Sequence, residues 1–121
     1  MIKAKLEVKV NNGKYPIIIG TNFLTKLSKI FKKNRVNFDK CFLFIDKKIG
    51  KKKIKEISKS ITQEKIVYLF NSSEKNKNIN NVIEILNLLQ KKKFNRSDCL
   101  IAIGGGITGD TGGFAASLFK R

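Results

Sequence analysis

The chain has 121 residues, of which 41% are hydrophobic and 29% charged, a balance that suits one globular domain. Its 26 basic and 9 acidic side chains leave a net charge of +17, and it contains no histidine. Because no apolar run reaches the length of a membrane span and no signal segment opens the sequence, we expect a cytoplasmic protein without a membrane partner. Cys41 and Cys99 are too few for a disulfide framework or a cysteine metal site, so we expect two reduced core thiols.

The basic surplus has two explanations. Strongly basic chains attract the phosphate backbone of nucleic acids, so a basic nucleic-acid-binding module is one candidate. However, the arginines are Arg35, Arg96 and Arg121 alone, and the lysines are spread over every predicted element without an accompanying aromatic ladder. Codon drift in an A/T-rich genome also produces an excess of Lys, Asn and Ile. We therefore expect no specific nucleic-acid partner.

The first predicted element is a β-hairpin. Apolar and polar residues alternate over residues 2–10, which is typical of a half-buried strand. Asn11-Asn12-Gly13 predicts a tight turn, and residues 14–20 return as a second strand. Pro16 cannot donate a hydrogen bond to a neighbouring strand, so the second strand is expected to lie at an edge or to be irregular at that residue.

Helices and strands alternate through the rest of the sequence. Thr21 or Asn22 can cap a first helix. Its apolar stripe consists of Phe23, Leu24, Leu27, Ile30 and Phe31. Residues 41–45 form a continuous apolar run, which is typical of a strand covered on both faces. Isoleucines at 54, 57 and 61 indicate a second helix, and residues 65–70 indicate another parallel strand. The apolar positions of the following helix are Ile79, Val82, Ile83, Leu86 and Leu89.

The strongest local motif follows the apolar run at 99–103, which leads directly into Gly104-Gly105-Gly106 and then into a helix. Glycines let the backbone take positive φ and let a ligand approach closely. The free N–H groups and the positive end of the helix dipole favour a phosphate or diphosphate there. The match to G-x-G-x-x-G is weak by itself, because ordinary dinucleotide folds carry it after the first strand. The alternative is a turn that only lets the helix pack on the sheet.

Three polar features are expected at one edge of the sheet, because the carboxyl ends of parallel strands meet there. They are Asp46, the loop at 72–77, and the turn at 104–110. A carboxylate at position 46 can accept hydrogen bonds from both ribose hydroxyls. The alternatives are that Asp46 caps a helix or pairs with Lys47 or Lys48. For Glu74 and Lys77, the alternative is an ordinary surface ion pair.

These residues resemble the 3-dehydroquinate synthase family over the whole length of the chain. The resemblance is carried by Tyr15-Pro16-Ile17, by Glu74-x-x-Lys77, and by the glycine block that leads through Asp110 to Gly113-Phe114-Ala115-Ala116. It implies an α/β, Rossmann-like, mostly parallel sheet with flanking helices and an N-terminal hairpin. Residues 1–121 would then form the NAD-binding N-terminal domain, truncated before a second, helical, metal-binding domain.

The resemblance also implies the site residues. Asp46 would bind a ribose of NAD. The adenosine side would contact Ser72, Ser73, Glu74, Lys75, Asn76 and Lys77. The diphosphate and nicotinamide half would contact Gly105, Gly106, Ile107, Thr108, Gly109 and Asp110. Arg121 would reach the substrate phosphate, with a helix-ending basic residue as the alternative. No catalytic residue and no metal ligand is assigned within this chain.

The implied reaction converts 3-deoxy-D-arabino-heptulosonate 7-phosphate to 3-dehydroquinate with loss of phosphate, in a homodimeric lyase that holds zinc or cobalt. The family binds its metal through one glutamate and two histidines, so we expect this histidine-free chain to be inactive alone. A related sugar-phosphate cyclase and a glycerol-dehydrogenase-like NAD enzyme are the alternatives. The chain departs from the family at Ser72-Ser73, where Asp-Gly is common, and at Gly112, which adds flexibility beside Gly113.

Overall fold

A computed structural model describes residues 2–119 of the chain. The elements are β1 (Ile2–Val10), β2 (Gly13–Gly20), α1 (Leu27–Lys33), β3 (Lys40–Asp46), α2 (Lys51–Ser60), β4 (Glu64–Phe70), α3 (Ile79–Lys91), β5 (Cys99–Ile103) and α4 (Gly106–Leu118). Short 3-10 helices lie at Leu24–Lys26, Lys47–Ile49 and Glu74–Asn76. This alternation of strands and helices after an N-terminal hairpin confirms the predicted α/β class.

The main sheet is parallel, with the strand order β4-β3-β5. Parallel neighbours require crossover connections, and helices α2 and α3 supply them. The register pairs Asp46 with Phe70 on one side of β3 and Ile45 with Ile103 on the other. The three strands therefore end level, and Asp46 lies beside the first residues of the loops that follow β4 and β5.

Central strand β3 is covered on both faces, as its continuous apolar run predicts, and residues 41–45 are 0% exposed. Leu43 and Ile45 pack in a cluster with residues of α1 and α2. Phe42 and Phe44 pack in a second cluster with residues of α3 and α4. Burial of these large apolar side chains on two sides supplies the main stabilisation of the domain.

The hairpin differs from the half-buried arrangement that its alternation predicts. β1 and β2 pair only with each other in the described sheets, around the expected Asn11-Asn12 turn. Leu6 is 56% exposed and its cross-strand partner Ile17 is 40% exposed. The prediction of burial was wrong for these residues because the hairpin forms its own two-stranded sheet and no layer of residues 2–119 covers its apolar face.

Helix α1 begins later than predicted. The residue that precedes the 3-10 turn is Phe23 and the one that precedes α1 is Lys26, and neither makes a side-chain capping bond. Asn22 has a φ of 55° and lies in the turn before the helix, so the prediction of a cap at Thr21 or Asn22 was wrong. An N-cap residue ordinarily has extended backbone dihedrals, and the positive φ of Asn22 does not meet that requirement.

Helix α3 has a narrower buried stripe than its apolar positions predict. Val82, Ile85 and Leu89 are buried, whereas Ile79 and Ile83 are 57% and 47% exposed. The buried residues follow a spacing of three and four along the face that meets the aromatic cluster of β3. Ile79 and Ile83 lie on the neighbouring face, which no element within residues 2–119 covers.

Both cysteines are free thiols, as expected. Cys41 and Cys99 are register partners on adjacent strands. Burial raises the pKa of Cys41 to about 11, and the neighbouring Cys99 adds to the effect. Burial also raises the pKa of Cys99. Within the described part of the chain, no helix is both long and apolar enough to cross a bilayer.

Candidate functional site

The level ends of β3, β4 and β5 bring three loops into contact. The Ser72 hydroxyl, two residues beyond β4, donates to Asp46 Oδ2 at 2.8 Å. Gly104, the first residue beyond β5, lies so close to Asp46 that a β-carbon on it would stand 3.0 Å from the Asp46 Cβ. Asp46, Ser72 and Gly104 therefore meet at one edge of the sheet, as the sequence predicts.

Asp46 uses both carboxylate oxygens. Oδ1 accepts the backbone N–H of Lys48 at 2.9 Å, which caps the 3-10 helix at Lys47–Ile49. Oδ2 accepts the Ser72 hydroxyl. Burial acts to raise the pKa of Asp46, but the Lys48 amide, the Ser72 hydroxyl and the Lys48 charge together hold it below its usual value. Asp46 therefore caps a short helix, which is one of the alternatives that the sequence offers. Because its pKa is low, its carboxylate is also ionised at the edge of the sheet.

The glycine turn divides into a packed part and an open part. Gly104 has a φ of +155°, and a β-carbon there would lie 2.6 Å from Thr108 Oγ1. Thr108 is fully buried beneath the turn, and its hydroxyl has no hydrogen-bond partner among the described residues. Gly105 and Gly106, by contrast, have open space where a β-carbon would project. Glycine is required for packing at position 104 and leaves room for a ligand at the next two positions.

Helix α4 begins inside the glycine run rather than after it. Its N-cap is Gly105, which supplies no side-chain capping bond, and the helix has 13 residues. The N–H groups of the first turn therefore point out of the helix end beside open space, and the helix dipole adds partial positive charge. Asp110 lies in the second turn of α4. The Ile107 side chain packs against the buried aromatic cluster.

The loop after β4 is shaped by its own side chains. Ser73 Oγ accepts the Asn76 N–H at 3.2 Å and so caps the 3-10 helix. The Asn76 side-chain amide donates to the Asn71 carbonyl at 2.8 Å. Glu74 and Lys75 are exposed. Of the predicted adenosine-side residues, Ser73 and Asn76 hold the loop together, while Glu74 and Lys75 face solvent.

Lys77 pairs with Asp110 and not with Glu74. Its Nζ lies 2.9 Å from Asp110 Oδ2, and it makes no second ion pair within 4.0 Å among residues 2–119. The hydrogen bond to Asp110 is the main reason that the pKa of Lys77 is raised, and the charge of Glu74 adds to it. The pair lines an open cavity of about 430 Å³. The remaining lining residues are Asn78, Ile79, Val82, Thr111 and Phe114.

Lys48 and Asn78 take part in the structure around the site, although the sequence analysis does not assign either of them to it. The sequence offers Lys48 as a neighbour of Asp46, but it carries no signal for the second contact of Lys48, in which the ammonium donates to the Ser72 carbonyl. Asn78 caps α3 by accepting the Asn81 N–H at 3.0 Å, and its residue type before an apolar periodic run is the signal that could have found it. Arg121 lies outside the described residues.

A metal site is not found in the described part of the chain. Residues 2–119 contain no group of three or more His, Cys, Asp or Glu side chains that could hold an ion. The donor set for zinc or cobalt is therefore not supplied by these residues, and we assign them no metal chemistry.

The sequence matches known proteins over almost its whole length. Residues 67–121 match the family model described as 3-dehydroquinate synthase N-terminal. A 3-dehydroquinate synthase of Pelagibacter ubique is 53% identical over 97% of this chain and 32% of its own length. That of Buchnera aphidicola subsp. Cinara cedri is 37% identical over 96% of this chain and 32% of its own. The chain spans about a third of the length of the curated relatives it matches.

Solved structures show the same fold. A 2-deoxy-scyllo-inosose synthase aligns with a TM-score of 0.80 and 18% identity over 95% of this chain and 33% of its own. A second structure of that synthase, in complex with carbaglucose-6-phosphate, NAD+ and Co2+, aligns with a TM-score of 0.80 and 18% identity over 96% of this chain and 32% of its own. At this identity the likeness shows the fold, a Rossmann-like parallel sheet with flanking helices.

Proposed function

Because the chain matches the 3-dehydroquinate synthase family over the N-terminal part of that family, we propose that it is the NAD-binding part of such an enzyme. The observation that carries the proposal is the meeting of Asp46 with the glycine turn at one edge of the sheet. The ionised carboxylate of Asp46 lies there beside the N-terminus of α4, a helix of 13 residues that has no side-chain cap. These are the two groups that a ribose and a diphosphate require.

The diphosphate would lie over Gly105 and Gly106. Their missing side chains leave open space, and the first-turn N–H groups of α4 supply hydrogen-bond donors without a competing side chain. The two negative phosphates would also gain from the positive end of the helix and from the net charge of +17. The role of these residues is to bind and orient the cofactor.

The ribose would lie beside Asp46. Each carboxylate oxygen has two acceptor sites, and the structure uses one on each, for the Lys48 amide and the Ser72 hydroxyl. One acceptor site remains on each oxygen, and two adjacent ribose hydroxyls can use both. Asp110 lines the cavity beside α4, where it would contact the nicotinamide half, and its ion-pair partner Lys77 reaches the same cavity from the loop proposed for the adenosine side.

The reaction of the whole enzyme is part of the proposal. A bound NAD supplies reversible oxidation of a substrate alcohol, which allows phosphate to leave from a sugar phosphate such as 3-deoxy-D-arabino-heptulosonate 7-phosphate. We propose that residues 1–121 supply the cofactor half in a cytoplasmic homodimer. Metal and substrate groups from beyond these residues would complete the site. We expect no phosphate release from the 121-residue chain alone, and release of phosphate by it would contradict this division of roles.

Calorimetric titration of the 121-residue chain with NAD tests the proposal. We expect saturable binding at one site per chain, weakened about 10- to 100-fold by Asp46→Ala, because a hydrogen bond to a charged group is worth about 1.5–3 kcal/mol. The matched control is Asp39→Ala, which removes the same charge from an exposed position just before β3, at the opposite edge of the sheet. Equal loss in both variants, or no binding by the unsubstituted chain, contradicts the proposal.

A second candidate from another class is a basic nucleic-acid-binding module, which the net charge of +17 favours. Such binding weakens steeply as salt rises, because counterions are released from the phosphate backbone. Titration with a DNA duplex and with NAD at two salt concentrations separates the candidates. Tight, salt-sensitive duplex binding together with no affinity for NAD would favour this second function.

A further inference from the structure

Three hydrogen bonds form a closed ring between the ends of β3 and β4. The Lys48 N–H donates to Asp46 Oδ1 at 2.9 Å, and the Ser72 hydroxyl donates to Asp46 Oδ2 at 2.8 Å. The Lys48 ammonium closes the ring by donating to the Ser72 carbonyl. We call these three residues the Asp46 ring. No motif of the sequence marks Lys48, and the family resemblance assigns it no role.

The ring fixes the orientation of a carboxylate that would otherwise rotate. Asp46 is held at both oxygens by donors from two different loops, which lie 2 and 26 residues away in sequence. Ser72 is only 9% exposed, so its hydroxyl is shielded from competing water. The Lys48 side chain links the two loops through its hydrogen bond to the Ser72 carbonyl. Groups held in this way bind a ligand at lower entropic cost than mobile ones.

The ring also sets the charge of the carboxylate. Lys48 is the charged side chain whose field acts on Asp46, whereas Ser72 and Gly104, which meet it from the β4 and β5 sides, are uncharged. The amide, the hydroxyl and the ammonium all stabilise the ionised form. Loss of either ring partner would therefore weaken the hold on the anion as well as its orientation.

We propose that Lys48 and Ser72 are positioning residues, which lock the Asp46 carboxylate in the direction that accepts the ribose hydroxyls of NAD. This inference rests on the proposed function. It assigns Ser72 a role other than direct contact with the cofactor, because its hydroxyl is already donated to Asp46. It also makes Lys48 a residue on which cofactor affinity depends.

The test compares Ser72→Ala and Lys48→Met with the unsubstituted chain, by calorimetric titration with NAD. We expect each variant to lose about fivefold in affinity, since one hydrogen bond contributes about 1 kcal/mol. Lys47→Met is the matched control, because it removes an equal charge from an exposed neighbour. Lys48→Arg keeps a donor within reach of the Ser72 carbonyl and should restore most of the affinity.

The pH profile separates positioning from a merely structural role. Because ionised Asp46 is required, affinity falls as the pH drops through the pKa of Asp46, which the ring holds below its usual value. In Ser72→Ala and Lys48→Met that pKa rises, so the acid loss of affinity begins at a higher pH. The ¹³C titration of the Asp46 carboxyl without NAD should show the same shift, and the melting transition followed by circular dichroism reports whether each variant folds.

Two outcomes overturn the inference in distinguishable ways. If the unsubstituted chain does not bind NAD, the proposed function and this inference fail together. If it binds, and folded Ser72→Ala and Lys48→Met bind equally well with an unshifted pH profile, the positioning role alone fails. A loss in Lys47→Met as large as in Lys48→Met would also overturn it, since the effect would then be one of charge only.

Discussion

Lys77 and Asp110 join the loop that follows β4 to the second turn of α4, with 2.9 Å between Nζ and Oδ2. The partners lie 33 residues apart in sequence, so the contact ties the entry of α3 to α4 across the candidate site. Both side chains are largely exposed, and ion pairs in that setting contribute little to stability. The pair therefore matters for where it places an ammonium and a carboxylate at the cavity, and not for holding the fold.

We expect Lys77→Met and Asp110→Asn to leave the urea midpoint of unfolding within the range of ordinary surface substitutions. The pKa of Lys77 is raised by its bond to Asp110, so the small stabilisation is present at neutral pH and is lost as the pH rises above the usual lysine range. Affinity for NAD should fall about tenfold in Asp110→Asn, because one hydrogen bond to a charged group is lost. A large drop in the urea midpoint together with unchanged affinity for NAD would show that the ion pair stabilises the fold and does not contribute to binding.

Much of the candidate site could be predicted from sequence because parallel strands end at a common edge. An apolar run followed by Asp46, and another followed by Gly104, fix which residues stand at that edge once the strands pair in register. The bond from the Lys48 ammonium to the Ser72 carbonyl could not be predicted in this way, since a long flexible side chain carries no periodic signal. The partner of Lys77 was also hidden, because Asp110 is distant in sequence and Glu74 is near.

The first two glycines of the turn should respond differently to the same substitution. In Gly104→Ala the new methyl would lie 2.6 Å from Thr108 Oγ1 at a φ of +155°, so we expect a loss of about 2–4 kcal/mol in unfolding free energy. In Gly105→Ala the methyl meets open space, and stability should change by less than about 1 kcal/mol. Urea unfolding measures both.

Affinity for NAD then separates packing from binding at these two positions. Gly105→Ala should fold normally and bind NAD at least about tenfold more weakly, because its methyl would occupy the space proposed for the diphosphate. Normal affinity in a folded Gly105→Ala would show that the open part of the turn is not a binding surface. Normal stability in Gly104→Ala would show that the close approach to Thr108 is not required.

The fold was predictable where burial follows directly from the pattern and not where it depends on what covers a surface. Residues 41–45 are apolar without interruption, and a strand of that kind is stable only between two layers. The alternation of the hairpin, by contrast, indicates which side chains share a face but not whether anything packs on it. For the same reason the periodicity of α3 could not exclude Ile79 and Ile83 from its buried stripe.

A leucine pair tests this difference between pattern and burial. Leu43 is 0% exposed in the centre of β3, and Leu43→Ala should cost about 2–5 kcal/mol in unfolding free energy. Leu6 is 56% exposed on the hairpin, and Leu6→Ala should cost less than about 1 kcal/mol, since only cross-strand contact with Ile17 is lost. Urea unfolding of the 121-residue chain gives both values. A comparable cost for Leu6→Ala would mean that the apolar face of the hairpin is covered in solution.

Adjacent glycines in α4 give the sharpest test of packing. Glycine in a helix interior is less favourable than alanine by about 1 kcal/mol, so each substitution starts from the same expected gain. At Gly113 the new methyl meets open space, and Gly113→Ala should stabilise the chain by about 0.5–1 kcal/mol. At Gly112 it would lie 3.0 Å from Phe44 Cδ2, and Phe44 is itself fully buried with its ring 4.7 Å from that of Phe70.

The Phe44 ring therefore cannot retreat, and Gly112→Ala should be net destabilising by up to about 2 kcal/mol despite its higher helix propensity. The two variants introduce the same methyl group into the same helix. If the unfolding free energy changes with opposite sign in them, the difference therefore comes from packing and not from helix propensity. Thermal unfolding of both against the unsubstituted chain is sufficient. Stabilisation by Gly112→Ala would show that α4 does not pack on β3 as closely as the structure has it.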